Sequence, residues 1–455
     1  MKNWEGKRVV IMGLARQGLA LIRHLSECGA QILVTDLKSS DQLKDELSAV
    51  SGLIDTVSLG SHPFSLLDGA DTLFLSGGVP ADLPFIQEAR SRGIRLLNDS
   101  QLFLEQVSVP VIGITGSAGK STTTSLTGHI LRRFAREQGF QVWVGGNIGN
   151  PLISDLDEIR QGDLVVMELS SFQLEILTVS PQTAALLNIS PNHLDRHKTM
   201  ENYLAAKARI FAYQEEEDWA VIGCDDDRVR GVQEDIKGHL LGFGRSLEGL
   251  DGVSFNGQSF THHWHGRETN ICRVQESPLR GAHNLWNIAA AFTLCATKGV
   301  PVDVMREALL DFHGLAHRLE EAGRLHGVLW INDSIATTPL RAAAALDSFS
   351  EPIVVLAGGR DKGLSWRPFA EAANNHAEAV ILFGEAAEKI AALLKEEDCC
   401  CAVHTVGSLE DAVQMAVRTA QPGSVVLLSP GCTSFDAFRD FEERGNRFKE
   451  LVAAL

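Results

Sequence analysis

Thr115-Gly116-Ser117-Ala118-Gly119-Lys120-Ser121-Thr122 brings together the residue types that hold a polyphosphate. Glycines let backbone N–H groups converge on phosphate oxygens, and a following helix N-terminus adds partial positive charge. Lys120 would meet the outer phosphates, and Ser121 or Thr122 would offer a hydroxyl to magnesium. The common phosphate-loop pattern asks for glycine where this chain has Ile114, so the loop is a variant of it. Nucleotide binding is the reading these residues support.

A second glycine-rich turn, Gly13-Leu14-Ala15-Arg16-Gln17-Gly18, follows the apolar run Arg8-Val9-Val10-Ile11-Met12, and Asp36 closes the next such run. Alone, this would predict a dinucleotide site and a dehydrogenase. Ala15, however, stands where a middle glycine would admit a pyrophosphate, and a separate phosphate loop follows, which argues against redox chemistry. Glu168 ends the run Asp163 to Met167, at the strand end where α/β proteins gather ligands, and is a candidate magnesium ligand. Asn284 and Asn287, one turn apart on an apolar helix, are able to bond the edge of a planar base, although solvated helix amides are the commoner meaning of such a pair. Lys207 would by itself be a solvated lysine. His262, His263 and His265 read as part of an exposed hairpin within Asp251 to Thr269, and Cys399-Cys400-Cys401 has no second cluster to complete a metal site.

These residues need strands to present them. Arg8 to Met12, helical spacing of Leu19, Ile22 and Leu25, and the strand Gln31 to Thr35 make one βαβ unit. The pattern restarts at Val111-Ile112-Gly113-Ile114, and again after Leu315-Ala316-His317-Arg318, with apolar strands at Pro352 to Ala357, Ala379 to Phe383 and Ser424 to Leu428. At 455 residues the chain exceeds what one core supports, and three α/β domains are expected, over 1–105, 106–314 and 315–455. A formal charge of −17 disfavours nucleic-acid partners, and no apolar run is long enough to span a membrane. Met1-Lys2-Asn3-Trp4 leads straight into a strand without a signal-peptide pattern, and eight scattered cysteines fit a reducing cytoplasm.

The loop Thr115 to Thr122 resembles that of the Mur ligases and the related folylpolyglutamate synthetases, which also lack the upstream glycine. Further stretches are similar to Mur ligase motifs: Gly145-Gly146-Asn147-Ile148-Gly149, Glu168-Leu169-Ser170-Ser171, Asn188 to His197, Tyr203 to Phe211, His283 to Ala291, His317-Arg318-Leu319-Glu320 and Asn332-Asp333-Ser334. Ser429 to Asp436 and Phe441-Glu442-Glu443-Arg444-Gly445 resemble the D-glutamate-adding branch. The α/β domain ahead of the phosphate loop separates the chain from folylpolyglutamate synthetases, whose loop lies near the N-terminus.

The resemblance implies an N-terminal Rossmann-like domain that holds UDP, a central P-loop ATPase-type α/β domain, and a C-terminal Rossmann-like domain for the amino acid. It implies UDP contacts at Leu14, Arg16, Gln17, Asp36, Gly78 and Asn147. ATP would meet Gly116, Ser117, Ala118, Gly119, Lys120, Ser121, Thr122, Asn284, Asn287, Arg318 and Asp333. Two magnesium ions would sit on Ser121, Glu168, His193 and a carbamylated Lys207, with Lys120, His193 and Lys207 as catalytic residues. Thr337, Lys362, Ser434, Phe435 and Phe441 would bind the amino acid. The implied reaction adds D-glutamate to UDP-N-acetylmuramoyl-L-alanine through an acyl phosphate, in a monomeric cytoplasmic enzyme. One departure stands out: many D-glutamate-adding members carry lysine where this chain has Ile335, which leaves L-glutamate or another amino acid as an alternative. A UDP-sugar sensor without ligase activity is the reading from a different class.

Overall fold

The computed structural model describes residues 4–80 and 82–455, so Met1, Lys2 and Asn3 of the N-terminal reading, and Ala81, lie outside the described residues. The chain divides into two compact units, Met1–Glu276 with Leu285–Leu310, and Ser277–Asn284 with Asp311–Leu455.

The first unit holds two sheets. In the first, the strands run in the order Thr56–Leu59, Gln31–Asp36, Arg8–Met12, Thr72–Leu75, Arg95–Leu97, all parallel. Parallel strands covered on both faces need continuous apolar runs, and Val9 to Met12 and Ile32 to Val34 supply them with almost no exposure. The second sheet runs Arg267–Arg273, Ser259–Trp264, Gly252–Phe255, His239–Gly244, Trp219–Gly223, Thr183–Leu186, Val111–Thr115, Leu164–Glu168, Val142–Gly146. Its parallel body ends in an antiparallel extension formed by the polar stretch after Asp251, where His262 and His263 lie on the hairpin.

The strand containing Glu168 is Leu164–Glu168, one residue later than the expected run, because Asp163 is spent on the turn: its carboxylate accepts from the N–H groups of Gln141 and Arg160 and from the Trp143 indole. One apolar cluster joins both sheets, from Val9 and Ile11 to Val165 and Met167. A buried amide network adds to it: Asn98 donates to the Gln173 carbonyl at 2.9 Å, and Gln173 donates to Ser100 Oγ at 2.7 Å.

The second unit carries a sheet in the order Glu320–Leu325, Val328–Asn332, Val425–Gly431, Ile353–Gly358, Ala377–Phe383, Ala402–Thr405, parallel except for its first strand. Asn332, Gly358 and Gly431 all end strands on one side of this sheet, which is where the later candidate residues follow.

Candidate functional site

In the first unit the strand Val111–Thr115 runs into the phosphate loop and the helix Lys120–Gln138. Gly119 caps that helix with φ +84°, and a Cβ there would lie 2.1 Å from Asn287 Oδ1, so glycine is required on two counts. Asn188 clamps the loop: its side chain accepts from Ala118 N at 2.9 Å and donates to Ala118 O at 3.0 Å. Ser117 Oγ donates to Ser190 O and is hydrogen-bonded to the Tyr203 hydroxyl, both at 3.1 Å. Lys120 Nζ bends back onto the carbonyls of Gly116 and Ser117 at 3.0 and 3.3 Å.

Lys207 is 1% exposed, and its Nζ donates to Gly116 O at 2.8 Å, with the Tyr203 ring 4.9 Å away. Burial, and then the nearby Lys120, pull its pKa down to about 6, against a smaller opposing pull from Glu168. Such a shift means that the site disfavours the Lys207 cation, relative to a lysine in water, by on the order of several kcal/mol. Near neutral pH the site favours the neutral amine, the form that adds to CO2, and this buried setting overrides the solvated-lysine expectation for an isolated helical lysine.

Glu168 is also 1% exposed. Its Oε1 accepts from Asn147 Nδ2 at 2.8 Å, while the buried Oε2 has no hydrogen-bond partner. A dry, unpartnered carboxylate oxygen is costly unless a cation meets it, so the residues present fit magnesium. His193, with φ +53°, caps the short helix Leu194–His197, and its ring packs edge-on against Phe172 at 4.9 Å. Desolvation lowers its pKa, which keeps an imidazole lone pair available. His197 is pushed down to about 4, first by desolvation and then by Arg196 and Lys207, and is held between Ser171 and Glu175.

At the first sheet, Asp36 braces the glycine-rich turn: Leu14 N donates to it at 2.8 Å and Lys38 N at 2.9 Å. The Leu14 side chain is buried, so only its backbone faces the turn, whereas Arg16 and Gly78 are exposed. Gln17 Oε1 accepts from Gly77 N at 3.1 Å, which ties the two glycine turns together. Arg196 donates to Val79 O at 2.6 Å, next to Gly78.

In the second unit, Asn284 donates to Arg280 O at 2.6 Å. Asp333 is buried; it accepts from Ser429 Oγ at 2.9 Å and Leu319 N at 3.2 Å, and burial raises its carboxyl to about 7. A cavity of about 120 Å³ is lined by Arg318, Asp333, Ile335 and Arg341 among others. Thr337 accepts from Lys362 Nζ at 3.4 Å, which brings together two of the amino-acid candidates. Ser434 is buried, and the Phe435 ring is 61% exposed. Phe441 O accepts from Ser334 Oγ at 2.8 Å.

Asn188, Tyr203 and Arg444 carry no role that the sequence alone announces. Arg444 is fully buried and donates to Ser334 Oγ, Ser334 O and Cys432 O, so it holds the Asp333 and Ser434 loops from beneath. All three stand inside quoted motifs, the one signal that could have singled them out.

Family models match along most of the chain: a Mur ligase MurD-like N-terminal domain over residues 7–98, a Mur ligase middle domain over 114–295, and a Mur ligase glutamate ligase domain over 317–432. The UDP-N-acetylmuramoylalanine–D-glutamate ligase of Symbiobacterium thermophilum is 40% identical over 99% of this chain and 98% of its own length. The enzyme of the same name from Clostridium tetani is 37% identical over 99% and 97%. Among solved structures, a UDP-N-acetylmuramate-alanine ligase from Thermotoga maritima shares the fold at a TM-score of 0.59 and 18% identity, covering 98% of this chain and 99% of that one. A MurF ligase from Thermotoga maritima, solved with ADP, shares it at 0.55 and 19%, over 100% and 97%.

Proposed function

The chain belongs to the Mur ligase family, and from that premise we propose that it is the ATP-dependent ligase that adds D-glutamate to UDP-N-acetylmuramoyl-L-alanine. The observation that carries this reading is the phosphate loop, clamped by Asn188 and backed by Lys207, in a chain whose full-length relatives are named D-glutamate ligases.

An oxygen of the L-alanine carboxylate attacks the γ-phosphorus of ATP, and ADP leaves. The glutamate amine then attacks the acyl carbon, phosphate leaves, and the nitrogen loses a proton as the amide forms. Such transfers need positioning and charge neutralisation more than covalent help. Lys120 and Arg318 supply positive charge to the ATP phosphates, with the backbone of Gly116 to Gly119 and the hydroxyls of Ser121 and Thr122 around them. Asn284 and Asn287 serve the base, and Asp333 serves the nucleotide. Leu14, Arg16, Gln17, Asp36, Gly78 and Asn147 hold the UDP substrate, with Asp36 acting through the turn it braces. Thr337, Lys362, Ser434, Phe435 and Phe441 orient glutamate.

Ser121, Glu168, His193 and Lys207 are the residues that would hold two magnesium ions, Lys207 after its neutral amine adds CO2 and loses a proton to become a carbamate. Magnesium, when bound, neutralises phosphate charge. The division into a UDP domain (1–105), an ATP domain (106–314) and an amino-acid domain (315–455) belongs to this proposal, as do a monomeric state and a cytoplasmic location. No helix among the described residues is long and apolar enough to cross a membrane.

The test is phosphate release with UDP-N-acetylmuramoyl-L-alanine and, in parallel, D-glutamate, L-glutamate or no amino acid. Release that depends on D-glutamate is expected. Preference for L-glutamate would favour the alternative that Ile335 suggests, and release with neither isomer would refute the glutamate reading.

A further inference from the structure

Ile335 and Arg341 line the same cavity in the second unit, with Arg318 and Asp333 beside them. The helix Pro339–Leu346 presents Arg341, Ala344 and Ala345 to that cavity, at the spacing that puts side chains on one face. Pro339 opens the helix and fixes its first turn, so Arg341 stands in that turn, where the helix field already favours anions. Its side chain makes no hydrogen bond or ion pair with another described residue, and the carboxyl it acts on electrostatically is Asp333, together with Arg318. A guanidinium left uncommitted at the mouth of a small, partly apolar cavity is poised for an anionic oxygen.

We propose that Arg341 supplies to the bound nucleotide a further positive charge, beside those of Lys120 and Arg318, that a lysine at position 335 would otherwise bring. The proposal rests on the ligase reading for the identity of the nucleotide, and it assigns Ile335 to the nucleotide side of the chemistry rather than to the choice of amino acid. Arg341 is a positioning and binding residue for a phosphate oxygen, reached from the helix instead of from the loop.

The test measures ADP binding to the full chain by calorimetry, with KM values for ATP, the UDP substrate and D-glutamate alongside. Arg341→Ala should weaken ADP and raise the ATP KM by about tenfold or more, the scale of a charge-assisted contact, and leave the glutamate KM unchanged. Arg341→Lys should retain most of the binding, and Ile335→Lys placed in the Arg341→Ala background should restore it. A melting curve matching wild type separates this from misfolding. Unchanged ADP binding in Arg341→Ala, a rise in the glutamate KM in its place, or failure of Ile335→Lys to rescue would each overturn the proposal. Wild-type protein that binds ADP but forms no glutamyl product would refute the ligase reading alone, since the binding comparison is read without turnover.

Discussion

Lys207 Nζ donates to the Gly116 carbonyl at 2.8 Å, so a lysine 91 residues further along the chain closes the wall of the phosphate loop. The same burial that makes this bond also strips the amine of its charge, and couples loop architecture to the chemistry open to Lys207.

Lys207→Ala should reduce glutamate-dependent phosphate release by about 100-fold or more, the scale for losing one preorganised electrostatic group. Full activity in that variant would refute the role. Because the folded pKa lies near 6, well below that of an unfolded lysine, the unfolded chain holds the extra proton between about pH 6 and 10. This residue's contribution to stability therefore rises with pH across that window. Electron density at Lys207 near neutral pH should show the added carboxylate, and below pH 6 the protonated amine should not take up CO2.

Glu168→Gln keeps the shape and the bond to Asn147 but removes the anionic oxygen that lies buried without a partner. The magnesium concentration for half-maximal activity should rise by about tenfold or more. An unchanged magnesium dependence would take Glu168 out of the metal site.

Asn188→Ala deletes both clamps on Ala118 and should raise the ATP KM about tenfold while leaving the UDP-substrate KM in place. Parallel loss in both KM values would point to general loosening of the unit instead.

The raised carboxyl of Asp333 gives a stability prediction of opposite sign to that of Lys207. Between about pH 4 and 7 the folded chain holds a proton that the unfolded chain has released, so this contribution falls as pH rises. Asp99, raised by burial to about 6, acts in the same direction over a narrower window. Denaturant midpoints from pH 4 to 8 should show Asp333→Asn with a shallower decline than wild type, and identical slopes would contradict the raised value.

What the sequence made legible was local. The loop, the strand before it and the helix after it lie within a few residues of one another, and the apolar strand runs appear within three residues of their expected bounds. Contacts between distant segments were not legible. Asn188 meets Ala118 across 70 residues, and nothing about an asparagine after a strand announces it. Arg444, flanked by Glu443 and Gly445, is fully buried, with its pKa lowered to about 10 by that burial, and nothing local in the sequence announces that. The two backbone N–H groups that Asp36 accepts from, those of Leu14 and Lys38, were likewise not legible, because they show only once the turn is folded.

In the proposed reaction the substrate carboxylate takes the phosphoryl group before the amide forms. Heavy-oxygen label in the L-alanine carboxylate of UDP-N-acetylmuramoyl-L-alanine tests it directly, with D-glutamate and ATP present and the released phosphate analysed by mass. One labelled oxygen is expected in each phosphate released, matched to one amide formed. Unlabelled phosphate accompanying amide formation would contradict it.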